Sequence, residues 1–292
     1  MSGNSFSGTE GKIIGFFGMF DILGYRSLIE NNDLDRLIEV FNQFIKDLDQ
    51  MGVTLGGQDK SQITALVPTK TLVFSDTIIF YQARAESTPD FAPSFLTQVC
   101  VLLRLAFERG VPLRGAISFG EFFVHEKAFL GRPIIEAFKA EKIQQWSGVM
   151  LTESAERMYL DYRRRRKSSK NITWRGLSLN PADMGPFSTN IVVDTDIPLK
   201  NKCGTQKIKG YSLRWDDYIK DFAALHYVGS QEIKDLNASQ STESIGSRVR
   251  GSFSAWRKKT DPDDVKRKME NTIKFLEDMR DRPLEDVRLT FS

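Results

Sequence analysis

Two aspartates stand where strands should be apolar. Between Thr71 and Tyr81 the residues Leu72, Phe74, Asp76, Ile78 and Phe80 fall on one alternating row, so a strand there sets the Asp76 carboxylate among hydrocarbons. Asp21 ends the run 13–20, in which nearly every residue is apolar or glycine, in the same manner. A buried unpaired carboxylate costs several kcal/mol, and two close together raise one pKa, unless a cation or hydrogen-bond donors compensate. Mg²⁺ or Mn²⁺ compensates through oxygen ligands and keeps positions open for substrate phosphates. The same residues also admit an ordinary reading, with Asp21 capping the following helix and Asp76 in a β-turn. No Ser-His-Asp order, Cys-His pair, P-loop or zinc spacing offers another chemistry, and His125 and His226 are isolated.

The elements that must position these carboxylates can be read from periodicity. The run 13–20 is apolar on both alternating faces, which predicts a central strand buried on both sides. Leu34, Leu37, Ile38, Phe41, Phe44, Ile45 and Leu48 recur at helical spacing, so residues 33–50 should form an amphipathic helix with Asp33 at its N-cap. Strands are expected at 63–67, 71–81, 113–123 and 149–151, with helices at 90–108, 133–146 and 153–162. This is a β-α-β-β-α-β order with additions, the split arrangement of ferredoxin-like α+β domains. Short strands at 191–193 and 211–213 and a helix at 216–227 follow. A final helix begins near Asp261, with Val265, Met269, Ile273, Leu276 and Met279 as its apolar stripe.

Composition bounds the rest. The 292 residues are 40% hydrophobic and 27% charged, enough for a sizeable core, and the net charge of +3 is too small to argue for a nucleic-acid binder. Two distant cysteines, Cys100 and Cys203, and no apolar run of membrane-spanning length predict a soluble, reduced, cytoplasmic protein. The domain plan is a disordered tail over 1–10, one domain over 11–229, a Ser-, Asn- and Gln-rich linker over 230–260, and the C-terminal helix over 261–292. The run Arg163-Arg164-Arg165-Arg166-Lys167 reads first as a solvated, flexible block; its alternative is an electrostatic lure for a nucleotide or nucleic acid.

The segments Phe20-Asp21-Ile22-Leu23-Gly24-Tyr25, Phe74-Ser75-Asp76-Thr77 and Arg114-Gly115-Ala116-Ile117-Ser118-Phe119-Gly120-Glu121, then Gly131 before a helix, resemble class III nucleotidyl cyclases in content and order. The likeness spans about residues 13–152. Within that superfamily it looks most like the pyrimidine cyclases of bacterial Pycsar antiphage systems. The resemblance implies two divalent cations, Mn²⁺ or Mg²⁺, held by Asp21, Asp76 and the Ile22 carbonyl, and phosphates cradled by the backbone N–H groups of Leu23, Gly24 and Tyr25. It also implies a homodimer with composite sites, a pyrimidine nucleoside triphosphate substrate, and a separate cyclic-nucleotide-responsive effector.

Departures from the purine-cyclase pattern are informative. Leu72 and Ala128 stand where purine cyclases carry a lysine and an aspartate that read the base, so a purine edge would meet no polar partner there. Ile135 and Lys139 replace the Asn and Arg that orient ribose and stabilise the transition state. Lys139 keeps the charge without the planar fork, and Arg114 could contact phosphate or base. The expected activity is conversion of UTP to 3′,5′-cyclic UMP and diphosphate, with CTP as close competitor. A catalytically inactive nucleotide-binding module is the alternative; membrane or nucleic-acid partners are not expected.

Overall fold

A computed structural model describes residues 11–54, 69–83, 91–125, 128–168, 172–174, 177–179, 192–200, 206–215, 244–255 and 263–281. The apolar run at the start becomes β1 (Gly11–Ile22), flanked antiparallel by β3 (Thr77–Ala83) and β4 (Leu113–His125). With β2 (Lys70–Phe74) outside β3, the order β2-β3-β1-β4 is the split arrangement expected, and the chain is a mixed α+β fold. The sheet then continues through β6 (Gly148–Leu151), parallel to β4, to β10 (Gln206–Leu213) and β9 (Val192–Leu199). A short β5 (Ala128–Gly131) folds back on β4, and β7 (Ile172–Trp174) pairs with β8 (Leu177–Leu179) in a separate two-stranded sheet.

Helices cover both faces, which is why β1 needs no polar side. On one face α2 (Leu34–Thr54), α3 (Phe91–Glu108) and α5 (Glu153–Ser168) close a core containing Phe16, Phe20, Phe44, Phe95 and Leu102. On the other face α4 (Arg132–Ile143) sets Ala137 and Ala140 against Phe17, Tyr81 and Phe122. Phe20 fixes two glycines at once. A Cβ at Gly18 would come within 2.8 Å of its ring, and a Cβ at Gly115 would overlap it, so β1 and β4 pair over an aromatic ring laid in their small residues.

Four expectations change. The stretch 71–81 is a hairpin rather than one strand, and the alternative reading of Asp76 in a β-turn holds: β2 and β3 pair through Phe74↔Thr77 around Ser75 and Asp76, with Ser75 at φ 56°. The left-handed turn breaks the alternating row, so Asp76 sits at a half-buried loop tip and is not embedded in a hydrophobic face. The linker over 230–260 holds α6 (Ile245–Ser254), capped by Ser244, whose buried Ile245, Val249 and Phe253 join the main core. The basic run lies in α5, where Arg163 rests over the Tyr159 ring and Arg164 pairs with Asp161, so through Lys167 it is helical rather than a loose block. The helix expected to reach Trp146 stops at Ile143, and the indole packs on Phe275 at 4.6 Å between centroids.

The C-terminal helix α7 (Asp263–Asp281) docks through that contact. Thr272 Oγ1 accepts from the Ser147 N–H at 2.8 Å, Asn271 donates to the Gln145 carbonyl at 2.7 Å, and Gln145 Nε2 donates to Asp264 Oδ1 at 2.7 Å. The strand at 63–67, the helix at 216–227, residues 1–10 and Cys203 lie outside the described residues. Cys100 is fully buried, and burial pushes its thiol well above the usual range, so it is inert core. Among the described residues no helix is long and apolar enough to cross a membrane.

Candidate active site

Asp21 is the penultimate residue of β1, level with Thr77 on one side and Arg114 on the other. The next residue, Ile22, donates its N–H to the Asp76 carbonyl at 2.8 Å, which ties the end of β1 to the β2–β3 turn. The two aspartates therefore share one end of the sheet, and the Asp21 pKa is pushed up, first by burial and least by the Asp76 charge. Burial is the largest cause of that upward shift; Glu141 adds to it, while Arg114 and Lys142 oppose it.

Beneath Asp21 lies an ionic floor. Arg114 is buried on the central strand β4, and its Nη2 donates to Asp21 Oδ2 at 2.8 Å. Its Nε donates to Glu141 Oε1 at 2.7 Å and its Nη1 to the Gln144 carbonyl at 3.2 Å. Every guanidinium nitrogen is thus engaged by the protein. Arg114, expected to contact phosphate or base, is here a buried fork between Asp21 and Glu141, a carboxylate only 1% exposed. Lys142 closes the cluster, with Nζ 3.7 Å from Asp21 Oδ1 and 3.3 Å from Glu141 Oε2. Lys200 feels the same carboxylates, and burial first, then Arg114 and Lys268, hold its pKa down.

The other sequence-derived residues distribute unevenly. Leu23 is buried and its N–H donates to the Pro112 carbonyl at 2.9 Å, so it is no ready phosphate donor; strand-end pairing has used it. Gly24 is left-handed at φ 77° and starts α1 (Tyr25–Asn31), accepting from Leu28 N–H, while Tyr25 packs edge-on against Phe41. Lys139 is exposed on α4, and Ile135 is exposed beside it. Glu141 and Lys142 were missed in the sequence. The signal available was a helical i, i+1 acid–base pair at the end of α4, indistinguishable there from surface charge.

A hard divalent cation suits what is present. Two carboxylates repel one another at adjacent strand ends, with the Ile22 backbone between them, and oxygen is the donor such ions select. Among the described residues no group of three or more His, Cys, Asp and Glu could hold a metal, so any ion here would complete its coordination with substrate oxygens or water.

No protein-family model matches the chain, and no curated protein matches it significantly. Among solved structures it is similar to the guanylyl cyclase Cya2, at TM-score 0.44 and 11% identity over 70% of this chain and 94% of that one. It is also similar to the non-canonical dimeric guanylyl cyclase domain of the RhoGC fusion protein from the aquatic fungus Blastocladiella emersonii, at TM-score 0.44 and 10% identity over 70% and 98%. A class III adenylyl cyclase-like ATP-binding protein from Pseudomonas aeruginosa gives TM-score 0.40 and 12% identity over 52% and 37%. A likeness at these identities and scores transfers neither substrate nor residue role; the side chains described above carry the functional reading.

Proposed function

We propose that this chain is a nucleotidyl cyclase that converts UTP to 3′,5′-cyclic UMP and diphosphate, with CTP as its competing substrate. The observation that carries the reading is the meeting of Asp21 and Asp76 at one sheet end, joined by the Ile22–Asp76 hydrogen bond. Asp21, Asp76 and the Ile22 carbonyl would hold divalent cations, Mn²⁺ or Mg²⁺. When bound, these ions supply Lewis-acid polarisation of the ribose 3′-hydroxyl and neutralise charge on the departing diphosphate. The ring closes as the 3′-oxygen bonds to the α-phosphorus and gives its proton to solvent, while the bond from the α-phosphorus to the bridging oxygen breaks and its electron pair leaves with diphosphate. Gly24 and Tyr25, at the turn after β1, stand where backbone N–H groups would meet phosphate.

Leu72 on β2 and Ala128 on β5 support a pyrimidine over a purine, since neither offers a hydrogen bond to a base edge. A homodimer is supported by large apolar side chains left uncovered among the described residues: Phe74 is 76% exposed, Leu130 63% and Ile135 56%. A cyclic product acting on a separate effector, in antiphage defence, completes the reading by resemblance.

The test is incubation with the four ribonucleoside triphosphates and Mn²⁺, with mass spectrometry of products. Cyclic UMP is expected as the main species, and Asp76→Ala should abolish it without unfolding the chain. Tight nucleotide binding with no cyclic product would replace the enzyme with a binding module, a reading favoured by the engagement of the Asp21 carboxylate with Arg114 and Lys142.

A further inference from the structure

Asp21 presents its two oxygens to two different kinds of cation. Oδ2 receives the buried Arg114 fork, which is pinned from behind by Glu141 and the Gln144 carbonyl. Oδ1 faces Lys142 Nζ at 3.7 Å, beyond hydrogen-bond distance, from a side chain 48% exposed. The ammonium also lies 5.7 Å from the Phe138 ring centroid and 3.3 Å from Glu141 Oε2, so other partners hold it when it leaves Oδ1. One contact is fixed and desolvated, the other loose and solvated.

We propose that Lys142 is a displaceable counter-ion: it neutralises Asp21 Oδ1 while no divalent cation is bound, yields that oxygen to the ion, and then pairs with the substrate's triphosphate. The inference rests on the cyclase reading and names the helix cation that meets the phosphates as Lys142, not Lys139. A tethered ammonium expelled from Oδ1 finds its nearest new negative charge on phosphate oxygens gathered at the same ion. Arg114 cannot move in this way, because its withdrawal would strand Glu141 as a buried unpaired charge.

The proposal makes two effects of opposite sign follow from one substitution. Mn²⁺ binding is measured by electron paramagnetic resonance on the full chain without nucleotide, and turnover separately with UTP. Lys142→Met should tighten Mn²⁺ binding roughly threefold to tenfold, since a competing charge beside the ligand oxygen is removed. It should also lower kcat by about tenfold or more, since a charge facing the phosphates is lost. Lys142→Arg should restore Mn²⁺ affinity to near wild type and recover part of kcat, while Lys266→Met, at an exposed lysine of α7 outside the site, should change neither by more than about twofold.

A merely structural lysine would lower both quantities together or neither. Unchanged or weaker Mn²⁺ binding in Lys142→Met overturns the proposal and leaves the metal reading standing. Wild type and Asp21→Asn binding Mn²⁺ equally would overturn the metal reading itself, and the proposal with it.

Discussion

The two faces of α4 are built on opposite terms. Its inward face sets Ala137, Ala140 and Glu141 against β1 and β4, and the one charge among them is matched by Arg114. Its outward face carries Ile135, Phe138 and Ile143, large apolar groups half exposed with no covering element in the described chain. Inside, a polar group is tolerated because its bonds are complete; outside, apolar groups are left incomplete. A helix that resolves its costly groups and leaves its favourable ones unused is finished toward the site and unfinished toward a partner.

The largest effect should come from breaking the finished side. Arg114→Met leaves buried Glu141 and partly buried Asp21 with only the half-exposed Lys142 beside them and should destabilise the chain by about 3 kcal/mol, read as a lower urea midpoint. Adding Glu141→Leu should recover much of that loss, because replacing a buried pair by hydrocarbon of similar volume is often neutral. If the double variant is as unstable as the single, the floor is not a matched pair and the contrast between the faces fails.

Next in size is Gly115→Ala. The added methyl overlaps the Phe20 ring beneath the β1–β4 pairing, so about 1–3 kcal/mol should be lost, and the Asp21 end of β1 should shift with it. On the unfinished side, Ile135→Ser with Phe138→Ser should change the stability of the isolated chain by no more than about 0.5 kcal/mol each. The same pair should shift a homodimer toward monomer in sedimentation velocity. A monomeric wild type at high concentration would show that this face covers no second copy.

Much of this contrast was legible in sequence, and the part that was not has a physical cause. The run 13–20 and the helix spacing at 33–50 state their burial by period alone, because a strand or helix repeats its environment every two or 3.6 residues. Asp21 stood out for the same reason, as a charge at the end of an apolar row. The Ser75–Asp76 turn stood only as the alternative reading of Asp76, because Leu72, Phe74, Ile78 and Phe80 keep an alternating pattern across it, and the hairpin folds both arms of that pattern together. Glu141 was hidden more deeply. Its burial depends on Arg114, 27 positions away, and no local rule separates a paired buried glutamate from a solvated one.

The smallest predicted effect compares this buried floor with the half-exposed ion pair that helps dock α7. Asp264 Oδ2 accepts from Lys268 at 2.6 Å and Oδ1 from Gln145, yet the side chain is 48% exposed. Burial pushes its carboxyl up, but the hydrogen bonds from Lys268 and Gln145, with the Lys268 charge, outweigh it and hold the pKa below the usual value. A depressed carboxyl stabilises the fold above its unfolded pKa, about 3.9, and that contribution is lost as pH falls through the folded value. Solvent screening limits it to a few tenths of a kcal/mol, an order below the Arg114 floor. Asp264→Asn should therefore lower Tm by about one degree or less at pH 6, the order expected of so small a change in a chain this size. Its difference from wild type should shrink steadily from about pH 4 downward, where the native carboxyl is also protonated. An offset that stays constant down to pH 3 would mean that the side chain acts by shape, and that charge fastens α4 to the sheet without fastening α7.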